Sequence, residues 1–183
     1  MREKDRVGTA AERRWSTTVR ALSGVPPGTR MGGTHVTINA SAPAVARKEI
    51  RIKARPEEVW AIHTDISGWW KWNADVSESK LHGNLSEGTT FAWKSRGTGI
   101  SSRIELLETG RRIGWTGRSF GTRAVHLWTL VPDGEETLLQ TEESMEGWLV
   151  NLMRGPMRRK LEQSLNAWLV DLKHEVEMGN GYH

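Results

Sequence analysis

MRRKLEQSLNAWLVDLKHEVEM, residues 157–178, is the stretch on which the fold turns. Met157, Leu161, Leu165, Trp168, Leu172 and Val176 recur every three or four residues, while Arg158, Lys160, Glu162, Asn166 and Asp171 fall elsewhere on the wheel. That period predicts an amphipathic α-helix with one apolar stripe. At 1.5 Å per residue the helix would run about 33 Å, against about 26 Å for an eight-residue strand. A helix of that length crosses a whole sheet.

Immediately upstream, residues 76–146 follow period two. The alternation predicts strands at Val76–His82, Thr90–Ser95, Ile100–Leu107, Arg112–Thr116, Ala124–Val131 and Glu136–Glu146. Ser86-Glu-Gly88, Glu108-Thr-Gly110 and Pro132-Asp-Gly134 supply short turns, so consecutive strands form an antiparallel meander. Further out, Glu49-Ile-Arg-Ile-Lys-Ala54 alternates as a half-buried strand. Pro56-Glu-Glu58 opens a helix with Val59, Trp60 and Ile62 on its apolar side. A second short helix over Ile66–Trp72 puts Trp69 and Trp72 on one face. The fold class is therefore α+β: a curved antiparallel sheet of about seven strands, with two short helices after the first, around a long C-terminal helix.

The folded unit is expected over residues 46–178, with 179–183 as a tail. Residues 1–45 read as a disordered basic tail, punctuated by Gly24-Val-Pro-Pro-Gly28, Gly32-Gly33 and Ala40-Ser-Ala-Pro-Ala44. A helix over 10–22 would have little to pack on, and Met31 is an alternative start. The tail holds seven basic and three acidic residues, which accounts for the whole formal charge of +4. The remainder is balanced, which argues against a nucleic-acid reader, whose positive charge lies on the folded surface. Without cysteine there are no disulfides, thiolate metal sites or thiol nucleophiles. The six histidines show no metal-ligand spacing, so neither metal nor other cofactor is expected. No run approaches the roughly 20 apolar residues of a membrane span, and the N-terminus lacks the apolar core of a secretory signal. A cytoplasmic location follows as the expectation.

The order strand, two short helices, six strands, long helix resembles the SRPBCC superfamily, which includes START and birch-pollen-allergen-like proteins. The residues that carry the resemblance are Ala54-Arg-Pro-Glu-Glu-Val-Trp60, Thr64-Asp65, Trp69, Trp72-Asn73, Glu108-Thr-Gly-Arg-Arg-Ile-Gly-Trp115, Val125-His-Leu-Trp128, Thr141-Glu-Glu-Ser-Met-Glu-Gly147 and Leu165-Asn-Ala-Trp-Leu169. Their order is similar to the polyketide cyclase/dehydrase-like branch over residues 46–177. The resemblance implies a helix-grip fold with a deep apolar cavity under the last helix. It implies no single activity, because the branch holds cyclases, aromatases and lipid carriers alike.

Alternation assigns the faces. Phe91 and Trp93 share one side of their strand, and Ile113 and Trp115 one side of theirs. His126, Trp128 and Leu130 point inward, although Val125 and Leu127 make the opposite register defensible. Thr137, Leu139, Thr141, Glu143 and Met145 face in, leaving Gln140, Glu142 and Ser144 outside. The candidate ligand-binding set is thus Phe91, Trp93, Trp115, His126, Trp128, Thr141 and Glu143: aromatic walls with a few polar groups. The alternative is that the tryptophans simply fill the space beneath the helix. His126 and Glu143 are the candidate catalytic pair, since a carboxylate beside an imidazole raises its pKa and fixes its tautomer for proton transfer. The plainer alternative is a buried polar pair satisfying its own hydrogen bonds.

Gly117-Arg-Ser-Phe-Gly121 matches G-x-S-x-G, but it joins two strands of a meander, where a nucleophile elbow needs strand, turn and helix. His63, beside Ile62, reads as a helix-surface or satisfied core histidine. Arg154, Arg158, Arg159 and Lys160 flank Pro156 where the long helix begins. They form a solvated face, an entrance for anionic ligands, or a docking patch for an acidic carrier protein.

Three functions fit. The leading one is binding of a hydrophobic, aromatic or polyketide-like small molecule, by a monomer or dimer. The second is a metal-free cyclase, aromatase or dehydratase acting on such a molecule, with His126 and Glu143 as acid and base. The third is a protein-interaction domain of the chaperone-ATPase-activator type, which an exposed apolar patch would favour.

Overall fold

The computed structural model describes residues 36–179. Most of the expected tail through residue 45, the helix over 10–22 and nearly all of the tail at 179–183 lie outside the described residues. Within them, Asn39 already engages the sheet: its N–H donates to the Ser144 hydroxyl at 3.1 Å and its side chain to Glu146.

Seven strands form one antiparallel sheet in the order β1-β7-β6-β5-β4-β3-β2. They are β1 (Ala44–Ile52), β2 (Val76–Leu81), β3 (Thr90–Ser95), β4 (Thr98–Glu108), β5 (Arg112–Ser119), β6 (Thr122–Asp133) and β7 (Glu136–Glu146). The meander runs β2 to β7, and β1 closes on β7 with Ile52 opposite Thr137 and Ala44 opposite Met145. This arrangement, with short helices after β1 and a long terminal helix, is the helix-grip fold. Several strands outrun their expected ends. Gly99 and Gly117 sit inside β4 and β5 because the hairpin ladders continue to the turns. β1 starts five residues earlier than its alternation indicated, because β7 pairs with Ala44–Lys48 as well.

Helix α1 (Pro56–Thr64) follows β1. Pro56 occupies its first turn, and the Glu58 carboxylate accepts the Arg55 N–H at 2.8 Å, closing the N-terminus. The second short helix, Ile66–Lys71, is 3-10 rather than α. At three residues per turn Trp69 and Trp72 eclipse, and both rings meet Trp168 edge to face, at 4.9 and 5.6 Å.

A one-turn helix α2 (Trp148–Leu152) precedes α3 (Arg154–Gly179), which starts one turn earlier than the apolar stripe alone indicated. Leu161, Leu165, Trp168, Leu169, Leu172 and Val176 are buried, as an apolar stripe requires. The far end of α3 is latched to the end of β1: Lys173 Nζ donates to the Arg51 carbonyl at 2.6 Å, and the Lys53 N–H to the Glu177 carboxylate at 2.8 Å. Gln140 and Ser144 are on the outer face, as expected, yet buried. Gln140 donates to Glu49 at 2.9 Å, and Ser144 accepts from Asn39, so β1 and the segment before it cover them.

Candidate functional site

Space beneath α3 divides into a packed end and an open end. At the packed end Trp69, Trp115, Trp128, Trp168 and Phe91 are all buried to 2 % exposure or less. Trp69 is the hub: its ring meets Phe91 at 5.5 Å, Trp115 at 5.6 Å and Trp168 at 4.9 Å. Its indole N–H donates to the His63 carbonyl at 2.8 Å, which fixes the 3-10 helix against α1. Offset and edge-on ring pairs at these separations are each worth about 0.5–1.5 kcal/mol beyond burial. His63 lies among them, fully buried, 4.6 Å from Trp128 ring to ring. The expectation of a surface or satisfied histidine is overturned, because neither ring nitrogen has a hydrogen-bond partner among the described residues. Burial pushes its pKa down to about 3, so the ring is neutral.

At the open end lies a pocket of about 220 Å³. It separates two apolar clusters: Trp115 and Trp168 belong to the larger, and Leu161, with Met145 and Met157 packed against it, to the smaller. Its walls are Trp93, Ile100, Trp115, Leu149, Met157, Leu161 and Trp168. Hydroxyls come from the ends of two hairpins, Ser95 and Thr98 in one, Ser119 and Thr122 in the other. The free volume has a local cause. Gly117 and Ala124 are cross-strand partners that both line the pocket, so two positions that would carry large side chains carry almost none.

His126 and Glu143, direct partners across β6 and β7, form the polar side of the pocket. His126 Nδ1 is 3.3 Å from a Glu143 carboxyl oxygen, and Nε2 is 2.8 Å from the Thr141 hydroxyl. Trp115 and Trp128 flank the imidazole, 4.9 and 5.0 Å away between ring centres. The expected carboxylate–imidazolium pairing is reversed. Burial lowers His126 to about 3, with His63 adding to the fall, while burial raises Glu143 to about 8. In so apolar a setting desolvation outweighs mutual attraction. At neutral pH the pair is a neutral imidazole and a protonated carboxyl. Such a pair offers a ligand oxygen a hydrogen-bond donor without introducing a buried charge.

Of the expected ligand-binding residues, Trp93, Trp115, His126 and Glu143 line the pocket. Phe91 and Trp128 do not, a correction with a simple cause: Trp69 and Trp168 close over them. Thr141 is buried behind His126 and holds its ring. Trp93 is oriented by its N–H donating to the buried Ser102 hydroxyl at 3.1 Å. Sequence reasoning missed Phe120, Leu149, Met157, Lys160 and Ser164, which reach the pocket from the β5–β6 turn, α2 and the start of α3. The clue available was Phe120 itself, an aromatic at a hairpin tip between glycines. Ser119 lies in that hairpin and not at a strand–helix junction. No group of three or more metal-ligating side chains occurs among the described residues.

A long terminal helix lying on a curved antiparallel sheet, with free volume beneath one end, defines a START-like helix-grip protein. Residues 34–177 match the family described as polyketide cyclase / dehydrase and lipid transport, and the chain belongs to that family. Comparison with curated protein sequences found no match. Similar solved structures include hypothetical protein jhp0584 from Helicobacter pylori, with TM-score 0.68 and 17 % identity over 81 % of this chain and 98 % of that one. A START superfamily protein from Mycobacterium smegmatis gives 0.65 and 18 % over 73 % and 97 %. The Zhui aromatase/cyclase from Streptomyces sp. R1128 gives 0.63 and 15 % over 73 % and 93 %. At such identities these likenesses concern the fold. No helix among the described residues is long and apolar enough to cross a membrane.

Proposed function

We propose that this chain binds an apolar small molecule, aromatic or polyketide-like, in the pocket between α3 and the ends of the β3–β4 and β5–β6 hairpins. The observation that carries this reading is the unfilled space at Gly117 and Ala124, walled by Trp93, Trp115 and Trp168. Its 220 Å³ exceeds the ~150 Å³ that suffices to hold benzene in an apolar cavity, and it opens outward for a longer molecule. Protonated Glu143 would then donate to a carbonyl or hydroxyl oxygen of the ligand, with His126, held by Thr141, orienting the carboxyl.

Native mass spectrometry of freshly purified protein tests this directly. The expected result is a retained small molecule in the wild type and none in Ala124→Phe, whose ring fills the space. Tryptophan emission should shift when the extracted compound is added back to stripped protein. Equal retention by both forms, or by neither, would sink the reading.

A second reading, a cyclase or dehydratase, is favoured by one observation. Glu143 is a proton donor held 3.3 Å from a neutral imidazole that accepts protons, both facing the same space. It calls for turnover of the retained compound that Glu143→Gln and His126→Ala abolish while the compound still binds.

A further inference from the structure

Apolar side chains gather on one stretch of surface. Phe120, Trp148, Leu152 and Met153 are 78, 57, 75 and 44 % exposed, and they come from just two places, the tip of the β5–β6 hairpin and α2 with its C-terminal residue. The two places are one structure. The Phe120 and Trp148 rings meet edge to face at 5.5 Å, and the Leu149 N–H donates to the Gly121 carbonyl at 3.3 Å. Leu152 follows Trp148 by one helical turn and shares its face. Phe120 and Leu149 also line the pocket, so this rim is the lip of its mouth. Scattered exposed apolar residues need no explanation, but a contiguous group marks a contact site.

Positive charge surrounds the same rim. Arg118 lies two residues before Phe120, and Arg154, Arg159 and Lys160 stand exposed at the start of α3. Among the described residues none of these four has an acidic partner, whereas Arg123 and Arg158 nearby are paired with Glu146 and Glu162. Arg154, in the first turn of α3, opposes the helix dipole, so its placement works against the helix itself.

We propose that this rim docks onto an anionic lipid bilayer. Phe120, Trp148, Leu152 and Met153 enter the interfacial layer, the cations at the start of α3 meet the headgroups, and the pocket mouth faces the membrane. An acidic protein would engage the cations, but it would cover four protruding side chains on a hairpin tip and a one-turn helix only with a groove made to match. A bilayer accepts apolar tips in any arrangement and supplies negative charge beside them. Docking of this kind does not depend on what the pocket holds.

The test is flotation of the full-length chain with vesicles of phosphatidylcholine alone and of an equimolar phosphatidylcholine–phosphatidylglycerol mixture. Binding should favour the anionic vesicles and weaken with salt. The triple substitution Trp148→Ser, Leu152→Ser, Met153→Ser should lower vesicle affinity about ten-fold or more, as should Arg154→Gln with Arg159→Gln. All five side chains are exposed, so far-UV circular dichroism should stay unchanged, and the melting temperature should fall only slightly, through loss of the Phe120–Trp148 ring pair and the Arg154–Asn151 hydrogen bond. Absence of binding to anionic vesicles would overturn the proposal. So would undiminished binding by the apolar triple variant, which would assign the affinity to charged residues in 1–45. Salt-labile capture by an acidic carrier protein without vesicle binding would overturn it as well.

Discussion

Both ring nitrogens of His63 are buried among the rings of Trp69, Trp115 and Trp128, with no hydrogen-bond partner among the described residues. An unsatisfied buried polar atom costs about 1–3 kcal/mol, and an apolar side chain of similar volume escapes that cost. His63→Leu should therefore raise stability by about 1–3 kcal/mol at pH 7, read as a higher urea midpoint. A lower midpoint would mean that the imidazole has a bonding role in the native protein. Residue-scale burial of this kind was illegible in the sequence. Ile62 and His63 are neighbours on one short helix, and only the 3-10 segment folding Trp69 across that helix decides that His63 is enclosed.

At the scale of elements, the junction between β7 and α2 leaves no room for a side chain. Gly147 has φ of 125°, a conformation that side chains disfavour, and a Cβ there would strike the Gly121 carbonyl. The hairpin tip and α2 therefore approach backbone to backbone, which is what seats Trp148 against Phe120. Gly147→Ala should destabilise the fold by about 1–3 kcal/mol and weaken the pocket lip with it. Chemical denaturation measures the first effect, and a change under 0.5 kcal/mol would show that the two segments separate freely. Elements themselves were largely legible. Strict alternation from Val76 to Glu146 and the stripe from Met157 to Val176 gave the meander and α3. Their ends were not, because Gly99 and Gly117 break patterns without breaking ladders, and because β1 takes its length from β7. The lip was missed for a related reason: no local period marks where a turn and a one-turn helix meet.

Across the whole molecule the buried titratable groups combine into one pH profile. His63 and His126 have native pKa values near 3, against 6.5 as the ordinary value. Unfolded chains bind protons there that the native protein refuses, so stability falls as pH drops from 6.5 toward 3. Glu143 is raised from 4.5 to about 8, so the native protein keeps a proton that the unfolded chain has released. Its contribution is lost as pH rises from 4.5 to 8. Two imidazoles outweigh one carboxyl below 6.5, and above it Glu143 acts alone, which places the optimum for these three groups near pH 6.5. Urea midpoints across pH should show Glu143→Gln flattening the alkaline limb between 6.5 and 8. An unchanged limb in that variant would remove Glu143 as its source. The site was half legible at this scale. Alternation gives the face on which Trp93, Trp115, His126 and Glu143 lie, but it cannot say how far α3 stands off, and so it cannot separate them from Phe91 and Trp128.

The strand order has a consequence for how the molecule is made. Among the described residues β1 has a single sheet neighbour, β7, so Ala44 and Ile52 must wait for Met145 and Thr137. On a ribosome the first strand emerges before anything it will pair with has been translated, and Ile50 and Ile52 stay uncovered while the entire meander is synthesised. Closure of the sheet is then among the last events of assembly, and it joins segments far apart in the chain, the kind of step that proceeds slowly. The nascent chain is most exposed to aggregation, and most in need of a holding chaperone, in the interval before the last strand and the terminal helix clear the exit tunnel.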